Sequence, residues 1–401
     1  MINQQGQKLY AFTLLVAFSY ISILGFLTAI EFGRIASVQQ QPLDTFASTL
    51  KMDARNYQQI VEQGYNYHED KRSLVAFFPI YPKLCSVVIK VAGWRTDECM
   101  LVVANFFLLL TYVVLYLLGM SLTPSCQQWA LALFCLFPST LFFRLGYAES
   151  MLCFFITMTL LGMQRQWPLW VVAVFAGLAS GTRPVGFAMS IAVLWYVVVS
   201  CYDKNKTLAS NTARLLWVIP VSCCGLIVYV CYLWWAFSAP LSFAHTQDHW
   251  TFLAPCGSTA WDKICSLVTL EPIWNVYNPH SQRYWINGDT QDNPLFSCLF
   301  WNPIFYLLAW FLIGLGWYKK WLKDYEIVLS VGLLLIPYVT RAYEMSMASH
   351  ARFAAVVIPQ YFVLGRLFAM MPPAIAGCLC GLMGLMMGLW TALFVAGYRF
   401  F

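Results

Sequence analysis

The stretch from Lys51 to Pro82 reads KMDARNYQQIVEQGYNYHEDKRSLVAFFPIYP, and it is the densest polar region of a chain built mostly from apolar runs. Asp53 to Glu62 has the period of a short helix. Tyr57, Ile60 and Val61 follow Asp53 by four, seven and eight residues and share its face. Arg55, Gln59 and Glu62 fall on the other side, and Gly64 is a natural C-terminal stop. Asp53 is therefore expected on the apolar side, where a carboxylate is costly without a partner or a task. Three readings stand side by side: an N-terminal cap, a buried ion pair with an arginine, or a catalytic carboxylate.

The flanking sequence sets the class. The 401 residues are 60% hydrophobic and 10% charged. That is too apolar for a soluble core, so an all-α, polytopic membrane protein is expected. Long apolar runs predict about eleven spans, at residues 9–30, 99–119, 128–144, 149–164, 168–182, 184–200, 215–238, 298–317, 326–341, 353–370 and 375–397. Residues 1–401 read as a single integral membrane domain, with large external loops at 31–98 and 239–297. The first run is long enough to span and no clear cleavage site follows it, so no cleavable signal peptide is expected. The cysteines are scattered, mostly inside spans, and read as packing residues. Cys256 and Cys265 share the second external loop and form a candidate disulfide.

Orientation follows the basic residues of the short loops. Lys204, Lys206 and Arg214 mark one loop, and Lys319, Lys320 and Lys323 another. Two spans separate them, so both are expected on the cytoplasmic side, together with Lys8, Arg165 and Arg366. Set against Asp203, Asp324 and Glu326, these account for the whole formal charge of +6. The other side is balanced in charge and holds all five histidines. The basic excess is thus a matter of topology and does not call for nucleic acid. This parity requires Phe77–Trp94 to dip into the external leaflet without crossing, which suits its Pro79, Pro82, Lys83 and Lys90. Juxtamembrane helices are expected around Asp53 and after Pro79.

Each later external turn carries ionisable residues. Phe142–Leu152 brings Arg144, Tyr147 and Glu149, the last opening a helix, where a carboxylate favours the positive dipole end. Ser180–Phe187 holds Arg183 between two apolar spans, a position that calls for an anionic partner or for snorkelling. Ser242–Trp250 places His245 and His249 four apart, but no glutamate follows His245 as a zinc-peptidase motif needs, and no metal is expected. Gln247, His249 and Trp250 suit a polar, aromatic sugar-binding surface instead. Thr340–Pro359 crowds Arg341, Glu344, His350 and Arg352 at the outer end of two spans. The middles of the spans are nearly free of charge, which speaks for chemistry at one membrane face over a midplane transport site.

MDARNYQQIVEQGYNY followed by VAFFPIYP resembles the PIG-V type mannosyltransferases, the GPI mannosyltransferase II family and its bacterial relatives, within the GT-C class of membrane glycosyltransferases. RLGYAES, SGTRPVG, HTQDHW and HARFAAVVIP resemble that family's later segments and occur in the expected order. Met52 departs from the pattern, which usually has Trp before the acid, and TRPVG looks more like the bacterial members. The resemblance implies a GT-C type helical bundle and a polyprenyl-phosphate sugar donor, most often mannose. It also implies a glycolipid or glycan acceptor and a site on the non-cytoplasmic face. That face would be periplasmic in a bacterial inner membrane, or lumenal in the endoplasmic reticulum of a eukaryote. In that scheme Asp53 is the general base of an inverting transfer. Arg352 or Arg183 stabilises the departing lipid phosphate. Arg55 and Glu149 support them, and Tyr57 and Tyr147 orient the sugar. Gln247 and Trp250 contact substrate. No cofactor is implied. A lipid transporter or scaffold without catalysis is the alternative. A phosphoethanolamine or acyl transferase is a weaker one, since no metal cluster or hydroxyl nucleophile stands out.

Overall fold

A computed structural model describes residues 4–35, 44, 46–200, 208–250, 260–288 and 293–397. Lys204, Lys206 and Cys256 lie outside the described residues, as do the side chains of Lys8 and Arg214, so the candidate disulfide and one of the two basic loops fall there too. In chain order the main helices are α1 (Gln4–Ile35), α2 (Asp53–Gln63), α3 (Ile80–Ala92), α4 (Thr96–Gly119), α5 (Pro124–Leu136), α6 (Glu149–Gln164), α7 (Leu169–Thr182), α8 (Phe187–Ser200), α9 (Leu208–Ser222), α10 (Cys224–Phe237), α11 (Ala260–Val268), α12 (Cys298–Tyr318), α13 (Asp324–Pro337), α14 (His350–Ala355), α15 (Ile358–Met370) and α16 (Pro373–Ala396). Among the described residues there is no strand.

Every predicted apolar run falls on helix, whole or broken, but length separates them. Among the described residues, four helical stretches are long and apolar enough to cross a membrane: Thr96–Gly119, Cys298–Tyr318, Asp324–Met345 and Pro373–Ala396. The pair α9 and α10, bent by 60° at Cys223, is a fifth when counted as one broken span rather than a re-entrant loop. These helices fit a multi-pass membrane protein. On α4, Val102, Phe106, Leu109 and Val113 are exposed at helical spacing while Val103, Ala104 and Leu108 are buried. One apolar face thus meets its neighbours and the other is left for lipid.

The shorter helices have local causes. α6 has 16 residues, or about 24 Å at 1.5 Å per residue, short of a hydrocarbon core of about 30 Å. It is buried along nearly its whole surface and packs on α4 and α7, so it is an interior helix. α5 ends at Leu136, and Pro138 opens a tight turn, Pro138–Phe143, instead of continuing it. The predicted span 353–370 breaks between α14 and α15. Pro359, in the first turn of α15, has no N–H to offer Ala355. The carbonyls freed by the break accept from side chains: Ala354 from Gln360 Nε2 at 2.7 Å, and Ala355 from the Tyr361 hydroxyl at 2.9 Å.

α2 runs as expected and stops at Gly64, whose φ is 82°. α3 begins one residue after Pro79 and has 13 residues, with Tyr81 and Cys85 buried and Val87, Lys90 and Val91 exposed. α7 and α10 approach at glycines. A Cβ at Gly225 would sit 2.5 Å from Gly181 N and 2.6 Å from Gly181 Cα. Small residues at such crossings let two backbones meet, and the contact fixes the end of α7 from which Arg183 emerges.

Candidate active site

Three turns deliver the site. Met52, just before α2, has φ 58° and ψ −122°, a conformation costly for a side chain with a Cβ. It is held from both sides. Lys51 Nζ donates to the carbonyls of Phe394 (2.8 Å) and Val395 (2.7 Å) at the C-terminal end of α16. The Lys51 carbonyl accepts from the Tyr147 hydroxyl at 3.0 Å. Burial, with Arg55 nearby, pushes the Lys51 ammonium down to about 8. The turn before α14 has the same character, with φ of 49°, 60° and 66° at Ser346, Met347 and Ser349. The third turn, Leu145–Ala148, hangs on buried Arg144. Its guanidinium donates to Ser22 Oγ, to the Tyr112 hydroxyl at 3.0 Å and to the Cys135 carbonyl at 2.6 Å, tying α1, α4 and α5 together.

These turns, with the end of α7, bring Asp53, Arg352, Glu149 and Arg183 into one ionic chain. Arg352 Nη2 lies 2.8 Å from Asp53 Oδ2, and Arg352 Nε lies 3.2 Å from Glu149 Oε1. Arg183 Nη1 closes on the same Glu149 oxygen. Side-chain exposure is 26% at Asp53, 13% at Arg183, 6% at Arg352 and 1% at Glu149. The chain therefore runs from a half-open acid to a sealed one. Glu149 is the first residue of α6, where the helix dipole also favours its charge. Its Oε2 and Arg352 Nε are buried without a hydrogen-bond partner. The Arg352 guanidinium carbon stands 5.4 Å from the Tyr147 ring centre and 5.5 Å from that of Phe142, contacts that suit a cation on aromatic faces.

The other residues singled out from sequence are placed around this chain. Tyr57 is buried below Asp53, edge-on to Phe77 (5.1 Å) and Tyr81 (5.2 Å), and burial raises its phenol pKa. Phe77 in turn meets Trp250 at 5.5 Å, and the Arg72 guanidinium lies over Trp250 at 5.4 Å. Trp250 thus reaches the Asp53 helix through Phe77. Gln247 Oε1 accepts from Arg341 Nη1 at 2.7 Å. Arg55 is exposed and its Nε donates to the Leu50 carbonyl at 3.2 Å, away from the ionic chain. His245 and His249 do not share a face: helix ends at His245, and the tighter turn Thr246–His249 carries His249 Nε2 to within 2.8 Å of the Glu69 carbonyl. Among the described residues no group of three His, Cys, Asp or Glu could hold a metal ion.

Over 161 residues the chain is 29% identical to GPI alpha-1,6-mannosyltransferase 2 of Cricetulus griseus, a match that takes in 37% of this chain. The chain is similar to a mannosyltransferase. The matched part is 32% of that relative's length, so the likeness speaks for a glycosyltransferase without carrying over the relative's substrates. No family model matches the chain. The geometry suits transfer chemistry at a surface. A carboxylate with one side open to solvent sits beside fixed guanidiniums that can hold a developing negative charge.

Proposed function

We propose that this chain is a GT-C type glycosyltransferase of about eleven transmembrane helices, with juxtamembrane helices in its first external loop. It moves a mannosyl or similar hexosyl unit from a polyprenyl-phosphate donor to a lipid-linked or envelope glycan acceptor. The reaction takes place on the non-cytoplasmic face, most simply the periplasmic face of a bacterial inner membrane. The observation that carries this reading is the Asp53–Arg352–Glu149–Arg183 chain, with Asp53 at its exposed end.

Asp53 takes the acceptor proton as the acceptor oxygen attacks the anomeric carbon and inverts it. The bond from that carbon to the phosphate oxygen breaks, and its electron pair stays on the phosphate. Protonating Asp53 removes one negative charge from the chain while the leaving phosphate gains one. Arg352 then has charge to spare at the moment the phosphate needs it. Arg183 and Glu149 hold Arg352 in place, Tyr57 and Tyr147 shape the floor, and Gln247 and Trp250 line the acceptor side. Arg55 stands at the rim.

The test is purified protein with radiolabelled polyprenyl-phosphate mannose and a membrane glycolipid extract. Labelled product from the wild type and none from Asp53→Asn is expected. Label crossing the bilayer without a new glycosylated product would support a lipid transporter instead.

A further inference from the structure

The helix α11, Ala260–Val268, belongs to the second large loop, yet its two sides are reversed for a helix in water. Trp261, Ile264, Cys265 and Val268 recur at helical spacing and form one apolar stripe. All four are exposed, Trp261 by 69%, Ile264 by 51% and Val268 by 77%. The opposite side turns polar groups inward. Ser266 is 4% exposed, and Lys263 Nζ reaches Glu344 Oε1 at 3.1 Å. A helix washed by water on one side would point Lys263 outward and press the stripe against the protein. A contiguous apolar stripe left open marks an interaction surface, unlike a lone exposed side chain. Asp262, also exposed, lies to one side of the stripe.

The place where α11 is held indicates what covers it. Two contacts join it to the membrane-crossing stretch Asp324–Met345. One is the Lys263–Glu344 pair, and the other runs from the Tyr338 hydroxyl to the Leu267 carbonyl at 2.9 Å. Glu344 is next to the end of that stretch. Tyr338 lies seven residues before Met345, about 10 Å further in at 1.5 Å per residue. With Lys263 level with Glu344 and Leu267 level with Tyr338, α11 slants from the end of the span down beside it. Interfacial amphipathic helices bury their apolar faces to a depth of about 5–10 Å. Leu335 and Val339, either side of Tyr338 in the chain, are exposed on the same span. The lipid-facing surface of the span therefore continues onto α11, and Trp261 is a residue type that favours the membrane interface.

We propose that α11 is a lipid-inserted helix, its Trp261–Val268 stripe seated in the acyl-chain boundary of the leaflet at the Met345 end of the span. The second large loop then has a membrane-facing part, pinned through Glu344 and Tyr338 to the turn that carries Arg341. The inference needs only that the chain crosses a bilayer, and it is independent of the transferase reading.

The test uses full-length protein in phosphatidylcholine nanodiscs containing a phospholipid with a diazirine in its acyl chain. After photolysis, peptide mass spectrometry locates the adducts, and a water-soluble diazirine serves as the contrasting reagent. The lipid reagent is expected to label the Trp261–Val268 stripe as strongly as Leu335 and Val339, and the water-soluble one to leave it unlabelled. Ile264→Glu is expected to lose the α11 adducts while keeping those at Leu335 and Val339, and Ile264→Leu to keep both sets. Labelling of the wild-type stripe by the water-soluble reagent and not by the lipid overturns the proposal, whatever the variants do. Protection of the stripe from both reagents means that protein covers it, a second copy or another part of this chain, and overturns it as well.

Discussion

Asp53 Oδ2 and Arg352 Nη2 meet at 2.8 Å, yet the acid is 26% exposed and the arginine 6%. A partly exposed pair contributes little to stability, and sealing both partners would add a desolvation cost, so stability alone gives no reason for this arrangement. Here the arginine is fixed in the interior by Glu149, and the acid is presented outward. The ion pair foreseen as the structural alternative for Asp53 is thus present, and its lopsided burial is what makes it a candidate for chemistry.

Glu149 is expected to matter most for folding. Glu149→Gln leaves Arg183 and Arg352 buried with one carboxylate between them. Breaking a buried charge pair typically costs about 3–5 kcal/mol. Thermal unfolding in detergent should show a large drop for Glu149→Gln and a much smaller one for Asp53→Asn. Equal drops would contradict the gradient from sealed to open.

Gly225→Ala is expected to push α10 off α7. Its new Cβ would meet the Gly181 backbone at 2.5–2.6 Å, and overpacking of this kind costs about 1–3 kcal/mol. Because Arg183 follows directly on α7, transfer should fall along with stability. A variant as stable and active as the wild type would show that the crossing has slack.

Much of this was legible in sequence where the signal is local. The α2 helix was readable from the spacing of Tyr57 and Ile60 and from Gly64, and α6 and α7 from uninterrupted apolar runs. The breaks inside apolar runs were harder, since Cys223 carries no breaker signal and Pro359 acts on carbonyls four residues back. An arginine partner for Asp53 was foreseen, and the resemblance put Arg352 in the same site, but which arginine pairs with it was not readable: Arg352 lies 299 positions away, and only packing brings it near. Arg341 was noticed in a crowded turn but not as the partner of Gln247, because a π turn leaves no pattern in composition. Glu149 was read as a helix-end charge and, from the resemblance, as a support for the arginines. It is that, and it is also the hinge of two ion pairs.

Lys51 sets a pH dependence. Its pKa is pushed from 10.5 down to about 8, mainly by burial. Between those values the unfolded chain binds more protons than the folded one, so this group's contribution to stability rises with pH. Below about pH 8 Lys51 is charged in both states and only the folded one bears the cost of burying the charge, and above pH 10.5 it is neutral in both and the cost is gone. Melting temperatures followed from pH 7.5 to 10.5 should rise for the wild type relative to Lys51→Met. A constant difference between the two would remove Lys51 as the titrating group.

The most direct measurement is single-turnover transfer from polyprenyl-phosphate mannose by Asp53→Asn, alongside its melting temperature. Loss of a general base typically costs about 100-fold to 10,000-fold in rate. A loss of that size, in protein that still melts near the wild type, is the expected result. Transfer at the wild-type rate would contradict the account at its centre and leave Asp53 as a structural partner of Arg352.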